Sequence, residues 1–258
     1  MWKIGGKKLK SRLMLGSSLY PSLEIMKKSI KESKTEIITV SLRRQKKENQ
    51  VFWNILKKIN CIILPNTSGC FSIKETILIA KMAREIFETN YIKLEIIGDD
   101  YNLQPNPFLL LKATEKLISM NFIVFPFCTD DLVLCNHLVN LGCDILMPWG
   151  SPIGSGKGIL NTESLKTLRK RFPEINLIID AGIGKPSHAM QAMELGYDGL
   201  LINSAIALSH NPIKMAKSFS LAVKSGRMAY KAGFMPERSF ASPSTPILGT
   251  PFWRKNKK

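Results

Sequence analysis

The chain has 258 residues, 45% of them hydrophobic, with a mean hydropathy near zero and a formal charge of +17. That is enough to bury a large core, and no apolar run approaches the eighteen or so residues of a membrane span. The basic residues are mostly lysines scattered beside Glu, Asn or Ser, with no RNP, zinc-finger or basic-zipper pattern. Solvated helix faces account for the charge, no nucleic-acid partner is expected, and an anionic small substrate is compatible with it.

The opening "MWKIGGKKLKSRLML" has no apolar h-region and no small-residue cleavage site, so no secretory signal is read and no membrane partner is expected. Cys61, Cys70, Cys128, Cys135 and Cys143 make an odd number without a CxxC pair. This fits buried thiols in a reducing compartment, not a disulfide framework or zinc site. No metal site and no cofactor are expected. The three histidines, His137, His188 and His210, do not converge in sequence.

Short apolar runs rich in β-branched residues alternate with helical patterns along the whole chain. Strands are predicted at Leu13–Leu15, Ile37–Val40, Cys61–Leu64, Ile92–Ile97, Ile123–Phe127, Ile145–Met147, Leu177–Asp180 and Gly199–Ile202. Between and after them, helices are predicted at Leu23–Glu32, Phe52–Ile59, Ser72–Thr89, Phe108–Met120, Asp131–Asn140, Thr162–Arg171, Ser187–Leu195 and Pro212–Met228. Ser72 with Glu75 three residues on reads as a capping box, and Pro212 suits a first helical turn. Eight parallel βα units predict an α/β fold, a closed (β/α)8 TIM barrel in one domain over residues 1–241. A doubly wound open sheet is the alternative. It would want a GxGxxG after the first strand, where the chain reads "GSSLYPS".

A barrel puts chemistry at the C-terminal ends of its strands. The segments there, among them "PNTSGC", "PFCTDD", "PWGSPIGSGKG", "DAGIGKPS" and "NSA", are rich in Gly, Ser and Asn. The opposite connections, such as "KTE" and "TNY", are plain turns.

The fourth strand carries the oddity: Lys93 and Glu95 inside "YIKLEIIGDD". Alternation puts both on the face opposite Leu94 and Ile96, hence inside the barrel. A desolvated lysine would have a lowered pKa and act as a nucleophile towards a ketone or aldehyde, with a carboxylate nearby to shuttle protons. The bland alternative is a structural ion pair, although buried pairs rarely improve stability. Asp180, at the end of the seventh strand, is a general acid/base, a hydrogen-bond partner for substrate hydroxyls, or a loop cap. Gly150, Gly154, Gly156 and Gly158 after the sixth strand and Gly182 and Gly184 after the seventh lie in turns whose backbone N–H groups can meet an anion, and "AGIG" and "NSA" (Asn203, Ser204) fall after strands seven and eight, where many barrels seat a phosphate; Lys157 serves the same anion or is simply solvated. The residues alone therefore define a class: a Schiff-base barrel acting on a phosphorylated keto sugar or similar carbonyl compound. An aldolase-like enzyme stays open at this point.

The strings "ILPNTSGC", "IKLEIIGD", "FPFCTDD", "MPWGSPIGSG", "DAGIGKPSHAMQAMELGYDGLLINSAIA" and "SGRMAYKAG" resemble thiazole synthase of bacterial and plastid thiamine biosynthesis. The resemblance runs from about "KSRLMLG" to Ser244. It implies a (β/α)8 barrel that assembles into homo-oligomers, typically tetramers. It also implies condensation of 1-deoxy-D-xylulose 5-phosphate, dehydroglycine and sulfur into the thiazole phosphate. Sulfur arrives as a thiocarboxylate on a small ubiquitin-like carrier protein, and dehydroglycine from a glycine oxidase or a tyrosine lyase. The imine-forming lysine falls on Lys93, the acid/base carboxylates on Glu95 and Asp180, and the sugar-phosphate site on Gly154, Ala181, Gly182, Asn203 and Ser204. The implied location is a bacterial cytoplasm or a plastid stroma.

There are three departures, one of them the Thr of the family's "NT" pair, which is Ser204 here and keeps the hydroxyl. The family's usual "GTGKY" reads "GSSLY" here, with Ser18 and Leu19 in place of a Gly and the Lys, and its "MPLG" reads "MPWG", making Trp149 a bulkier wall. Residues 242–258 lack any helical or strand period and are expected to form a flexible basic tail that orders on carrier docking.

Overall fold

Each predicted strand is present, and together they close into a ring. The computed structural model describes residues 2–42, 50–242 and 244. In chain order the elements are β1 (Trp2–Ile4), β2 (Lys7–Leu9), β3 (Leu13–Gly16), α1 (Leu23–Ser33), β4 (Ile37–Ser41), α2 (Gln50–Lys58), β5 (Ile62–Asn66), α3 (Ile73–Phe87), β6 (Tyr91–Leu94), β7 (Ile97–Asp99), β8 (Gln104–Pro105) and α4 (Pro107–Ser119). They continue as β9 (Ile123–Cys128), α5 (Leu132–Asn140), β10 (Ile145–Pro148), α6 (Thr162–Arg171), β11 (Asn176–Asp180), α7 (Pro186–Glu194), β12 (Gly199–Ile202), α8 (Ser204–Ala207) and α9 (Pro212–Ala232). The closed barrel runs β3-β4-β5-β6-β9-β10-β11-β12 and returns to β3, every pair parallel. It is a (β/α)8 barrel, and the open-sheet alternative falls away.

Strand alternation sorts the side chains. Leu15, Ile38, Leu94, Val124 and Ile179 point outward and pack under the helices. Met14, Ile37, Leu64, Phe125, Met147 and Ile178 point inward and fill the lumen. The lumen is therefore a packed core at its lower end, each such side chain contributing roughly 1.5–3 kcal/mol by leaving water.

An N-terminal hairpin, absent from the sequence-based expectation, plugs the lower end. Strand β1 pairs antiparallel with β2, and Trp2, Ile4 and Leu9 join the inner core. The Trp2 indole donates to Asn176 Oδ1 at 2.8 Å, and a Cβ on Gly199 would meet its ring at 2.7 Å. Beside it Asp198 takes Arg169 at 2.8 Å, Arg12 at 3.4 Å and Arg227 at 3.7 Å, a charge cluster on the face of the barrel that governs stability.

Helix ends follow their capping chemistry. Ser22, Ser72, Asn106, Asp131, Asn161 and Asn211 each accept a backbone N–H of the first turn. The Ser72 box is displaced by one residue: Ser72 accepts from the Glu75 N–H, while Glu75 accepts from Phe71. Helix α7 starts at Pro186, not at Ser187, and its Lys185 cap makes no side-chain bond.

The fourth barrel strand is shorter than predicted. Its ladder stops at Leu94, and Ile97–Asp99 turns away to pair antiparallel with Gln104–Pro105 as β7 and β8. Asp99 accepts from the Tyr101 and Asn102 N–H groups, closing the turn between β7 and β8. Arg43 and Arg44 of the second strand's loop, and all of the expected tail except Ser242 and Ser244, lie outside the described residues. Among those described, no helix is long and apolar enough to cross a membrane.

Candidate functional site

The upper mouth of the barrel holds a cavity of about 400 Å³. Lys93, Glu95, Gly154, Asp180, Ala181, Gly182, Asn203 and Ser204 all line it. Alternation brings Lys93 (β6) and Asp180 (β11) inward from opposite walls, and Glu95 follows just beyond the end of β6.

The three charged groups touch. Lys93 Nζ donates to Glu95 Oε1 at 2.6 Å and stands 2.6 Å from Asp180 Oδ2. All three residues are 6% exposed. The Phe127 ring centroid lies 5.6 Å from Nζ. Oδ2 is close enough for an ion pair, yet no donor is aligned on it as a hydrogen bond.

The expected lowering of the lysine pKa does not occur. Burial does favour the neutral amine, but the charges of Asp180 and Glu95 together outweigh it and raise the Lys93 pKa well above its usual value. Asp180 moves up as well. Burial is the main cause and Glu95 adds to it, against the attraction of Lys93. A proton-retaining amine thus faces a carboxyl with more than ordinary affinity for protons.

The glycine loops fit their positions by close approach. A Cβ on Gly182, whose φ is +79°, would sit 2.0 Å from Ser151 Oγ. Ala181 holds φ +73°, a left-handed conformation that costs a non-glycine residue about 1–2 kcal/mol. Its carbonyl accepts the Gly150 N–H and that of Gly182 the Gly158 N–H, which fastens the sixth barrel loop to the seventh. Asn203 spends its amide on loop one. In the satisfied orientation it donates to Ser18 O at 2.9 Å and Gly16 O at 3.3 Å, and accepts from Ser18 Oγ at 3.1 Å.

Several wall residues were not singled out from the sequence: Thr39, Asn66, Ser68, Leu103 and Leu208. Asn66 could have been found, since it shares the inward face with Leu64 and pairs in register with Lys93. Leu103 could not, because the β7–β8 hairpin has no pattern of its own. Lys93 is the one cation among the described lining residues; Leu19 stands where the family's usual lysine would be. Lys157 is exposed and off the wall. Trp149 is not a wall either: its indole donates to Asp130 Oδ1 at 2.9 Å, beside a separate recess of about 170 Å³. His188 Nδ1 accepts the Gly184 N–H at 3.3 Å.

No cysteine lines the cavity. Cys70 and Cys128 are fully buried, and Cys128 is pushed well up by its contact with Cys135, 3.9 Å away, and by burial. Among the described residues no three His, Cys, Asp or Glu side chains group as metal ligands would.

Fold and site together are those of a (β/α)8-barrel enzyme with a lysine–carboxylate cluster at its mouth. Residues 3–246 match the family described as thiazole biosynthesis protein ThiG. Thiazole synthases of Coxiella burnetii (strain RSA 331) and Rhodopseudomonas palustris (strain BisA53) are 54% and 52% identical to the chain, each comparison covering 98% of both proteins. The chain belongs to this family, the thiazole synthases of thiamine biosynthesis. Among solved structures, BexX in the Amycolatopsis orientalis BexX/CysO complex shares the fold, with TM-score 0.83 and 24% identity over 92% of this chain and 98% of that one. Thiamine phosphate pyrophosphorylase from Pyrococcus furiosus is more distant, with TM-score 0.59 and 15% identity over 84% and 97%.

Proposed function

We propose that the cavity condenses 1-deoxy-D-xylulose 5-phosphate, dehydroglycine and carrier-borne sulfur into a thiazole phosphate, with Lys93 as the imine-forming residue. The observation that carries this reading is the Lys93 amine, buried at the cavity floor within 2.6 Å of both Glu95 and Asp180. An amine must be neutral to attack a ketone. On this reading Asp180, with its raised proton affinity, takes the proton from Nζ as the sugar seats. Nζ then adds to the ketone carbon, and its oxygen leaves as water after protonation by the same carboxyl or by Glu95. The sugar phosphate is placed at Gly154, the Ala181–Gly182 pair and Asn203–Ser204, opposite the lysine. With no second cation on the described wall, backbone N–H groups and hydroxyls carry that contact.

The sulfur donor is a small ubiquitin-like carrier protein, and dehydroglycine comes from a separate enzyme, a glycine oxidase or tyrosine lyase. What supports a protein partner is the resemblance, together with BexX, which forms a complex with CysO on the same fold. A homo-oligomer belongs to the same reading. Supporting it, Leu78, Met82 and Ile86 form an exposed stripe along α3 at helical spacing. Lys74 and Lys81 lie on one flank before Met82, and Glu85 and the C-cap Glu88 on the same flank after it. Two copies of α3 packed antiparallel across Met82 would bring Lys81 to Glu85 and Lys74 to Glu88, each about 3 Å apart along the axis.

Borohydride trapping with the deoxyxylulose phosphate, followed by peptide mass mapping, tests the chemistry. The adduct is expected on Lys93 and is expected to vanish in Lys93→Arg, which keeps the charge. An adduct on another lysine, or product formed without the thiocarboxylate, would favour an aldolase-like reaction instead.

A further inference from the structure

Thr67 is fully buried and off the cavity wall. Three hydrogen bonds nonetheless tie it to Lys93 and Glu95. Its N–H donates to the Lys93 carbonyl at 3.1 Å. Its Oγ1 accepts from the Glu95 N–H at 2.8 Å and donates to the Glu95 carbonyl at 2.8 Å.

The barrel topology explains why such a residue is needed. The last rung between β5 and β6 pairs Asn66 with Lys93. Beyond it β6 leaves the barrel and turns towards β7. A buried backbone that leaves a sheet strands its N–H and C=O, at about 1–3 kcal/mol for each left unpaired. One hydroxyl, both donor and acceptor, satisfies both groups of Glu95. Threonine is branched at Cβ and stiff at χ1, so that hydroxyl is aimed and does not rotate freely.

We propose that Thr67 is a positioning residue for the Lys93–Glu95 pair: its hydroxyl fixes the break in β6 that turns the Glu95 carboxylate back onto Lys93 Nζ. The significance for catalysis rests on the function proposed above; the positioning itself does not. Without the hydroxyl, the Glu95 backbone shifts, its carboxylate leaves Nζ, and the amine gives up its proton more readily.

The test compares Thr67→Val and Thr67→Ala, which lack the hydroxyl, with Thr67→Ser, which keeps it. Reductive methylation with formaldehyde at pH 9, mapped by peptide mass, reads Lys93 with no substrate present. Exposed Lys157 serves as the internal standard. Losing one flanking carboxylate lowers a lysine pKa by roughly one unit, so Lys93 should methylate about tenfold faster in the Val and Ala proteins. In Thr67→Ser its rate should match the parent. Sugar trapping should fall about 10- to 100-fold in Val and Ala, with the concentration for half-maximal trapping unchanged.

Lys93 methylation at the parent rate in Val and Ala, or a Ser variant that behaves like them, overturns the proposal. Should the Val protein fail to fold, the Ala and Ser pair decides on the same criteria. If the parent traps no sugar while methylation follows the expected pattern, the proposed function fails and the positioning role of Thr67 stands.

Discussion

Lys93 and Asp180 meet across the lumen: β9 and β10 lie between their strands, yet Nζ and Oδ2 are 2.6 Å apart. With Glu95 they form a buried group of one positive and two negative charges. Its stability and its chemistry pull in different directions, and the first two predictions separate them.

Replacing Lys93 with Met should destabilise the protein by about 3–5 kcal/mol at pH 8, because two carboxylates then face each other unpaired. Burial and Glu95 already hold the Asp180 pKa above its unfolded value, and losing the lysine raises it further. Such groups stabilise when protonated and cost stability as pH rises through the folded pKa. The deficit should therefore shrink as pH falls from 8 towards 5. Denaturant melts across that range measure it; a deficit that is constant or grows on acidification contradicts the arrangement.

Asp180→Asn should do the reverse. It removes a carboxylate whose pKa burial and Glu95 raise, and it leaves Lys93 paired with Glu95. A gain of about 1 kcal/mol, or 2–4 °C in Tm, is expected at pH 8. The same sign rule applies: the gain should vanish at acid pH, where Asp180 is protonated in the parent too. Trapping should drop by about 100-fold or more with the proton acceptor gone. A variant that melts lower at pH 8 would show that Asp180 serves structure more than proton transfer.

At the far end of the barrel, Trp2→Ala should cost about 3–5 kcal/mol through the cavity it opens among Ile4, Leu9 and the lumen side chains. Sugar trapping by the folded fraction should be unchanged, since the plug and the mouth are separate layers. Urea melts beside trapping rates make the comparison. A loss of trapping at full folding would couple the two ends.

The α3 stripe makes a prediction about assembly. Met82→Glu should shift sedimentation towards the monomer with the circular dichroism spectrum intact. Lys81→Glu should weaken association through repulsion, and adding Glu85→Lys should restore it. A parent that sediments as a monomer, or a Met82→Glu protein that stays assembled, would remove this face from consideration.

Strand number, order of elements and the inward turn of Lys93 were legible in the sequence because each follows from alternation over four or five residues. So was the gathering of Asp180, Gly182 and Ser204 at the mouth, which needs only the rule for strand ends. Three features were not. The β1–β2 hairpin is three residues to a strand, too short for a period to show. The break after Leu94 depends on Thr67, a residue of another segment, so the apolar run through Ile97 looked continuous. The raised Lys93 pKa needs two carboxylates in contact with the amine, whereas the sequence offers only burial, and burial alone has the opposite sign.

The Trp2 contacts bear on how the chain reaches its fold. Its partner Asn176 is 174 residues distant, and Gly199 lies farther still. Contacts of that span close large loops and are slow to form, so the hairpin finds its seat only when β11 and β12 have come together. Until then Trp2, Ile4 and Leu9 are exposed, and their burial marks completion of the ring. Sealing of the barrel floor is thus a late event in folding. A probe on Trp2 should lag behind far-ultraviolet dichroism during refolding.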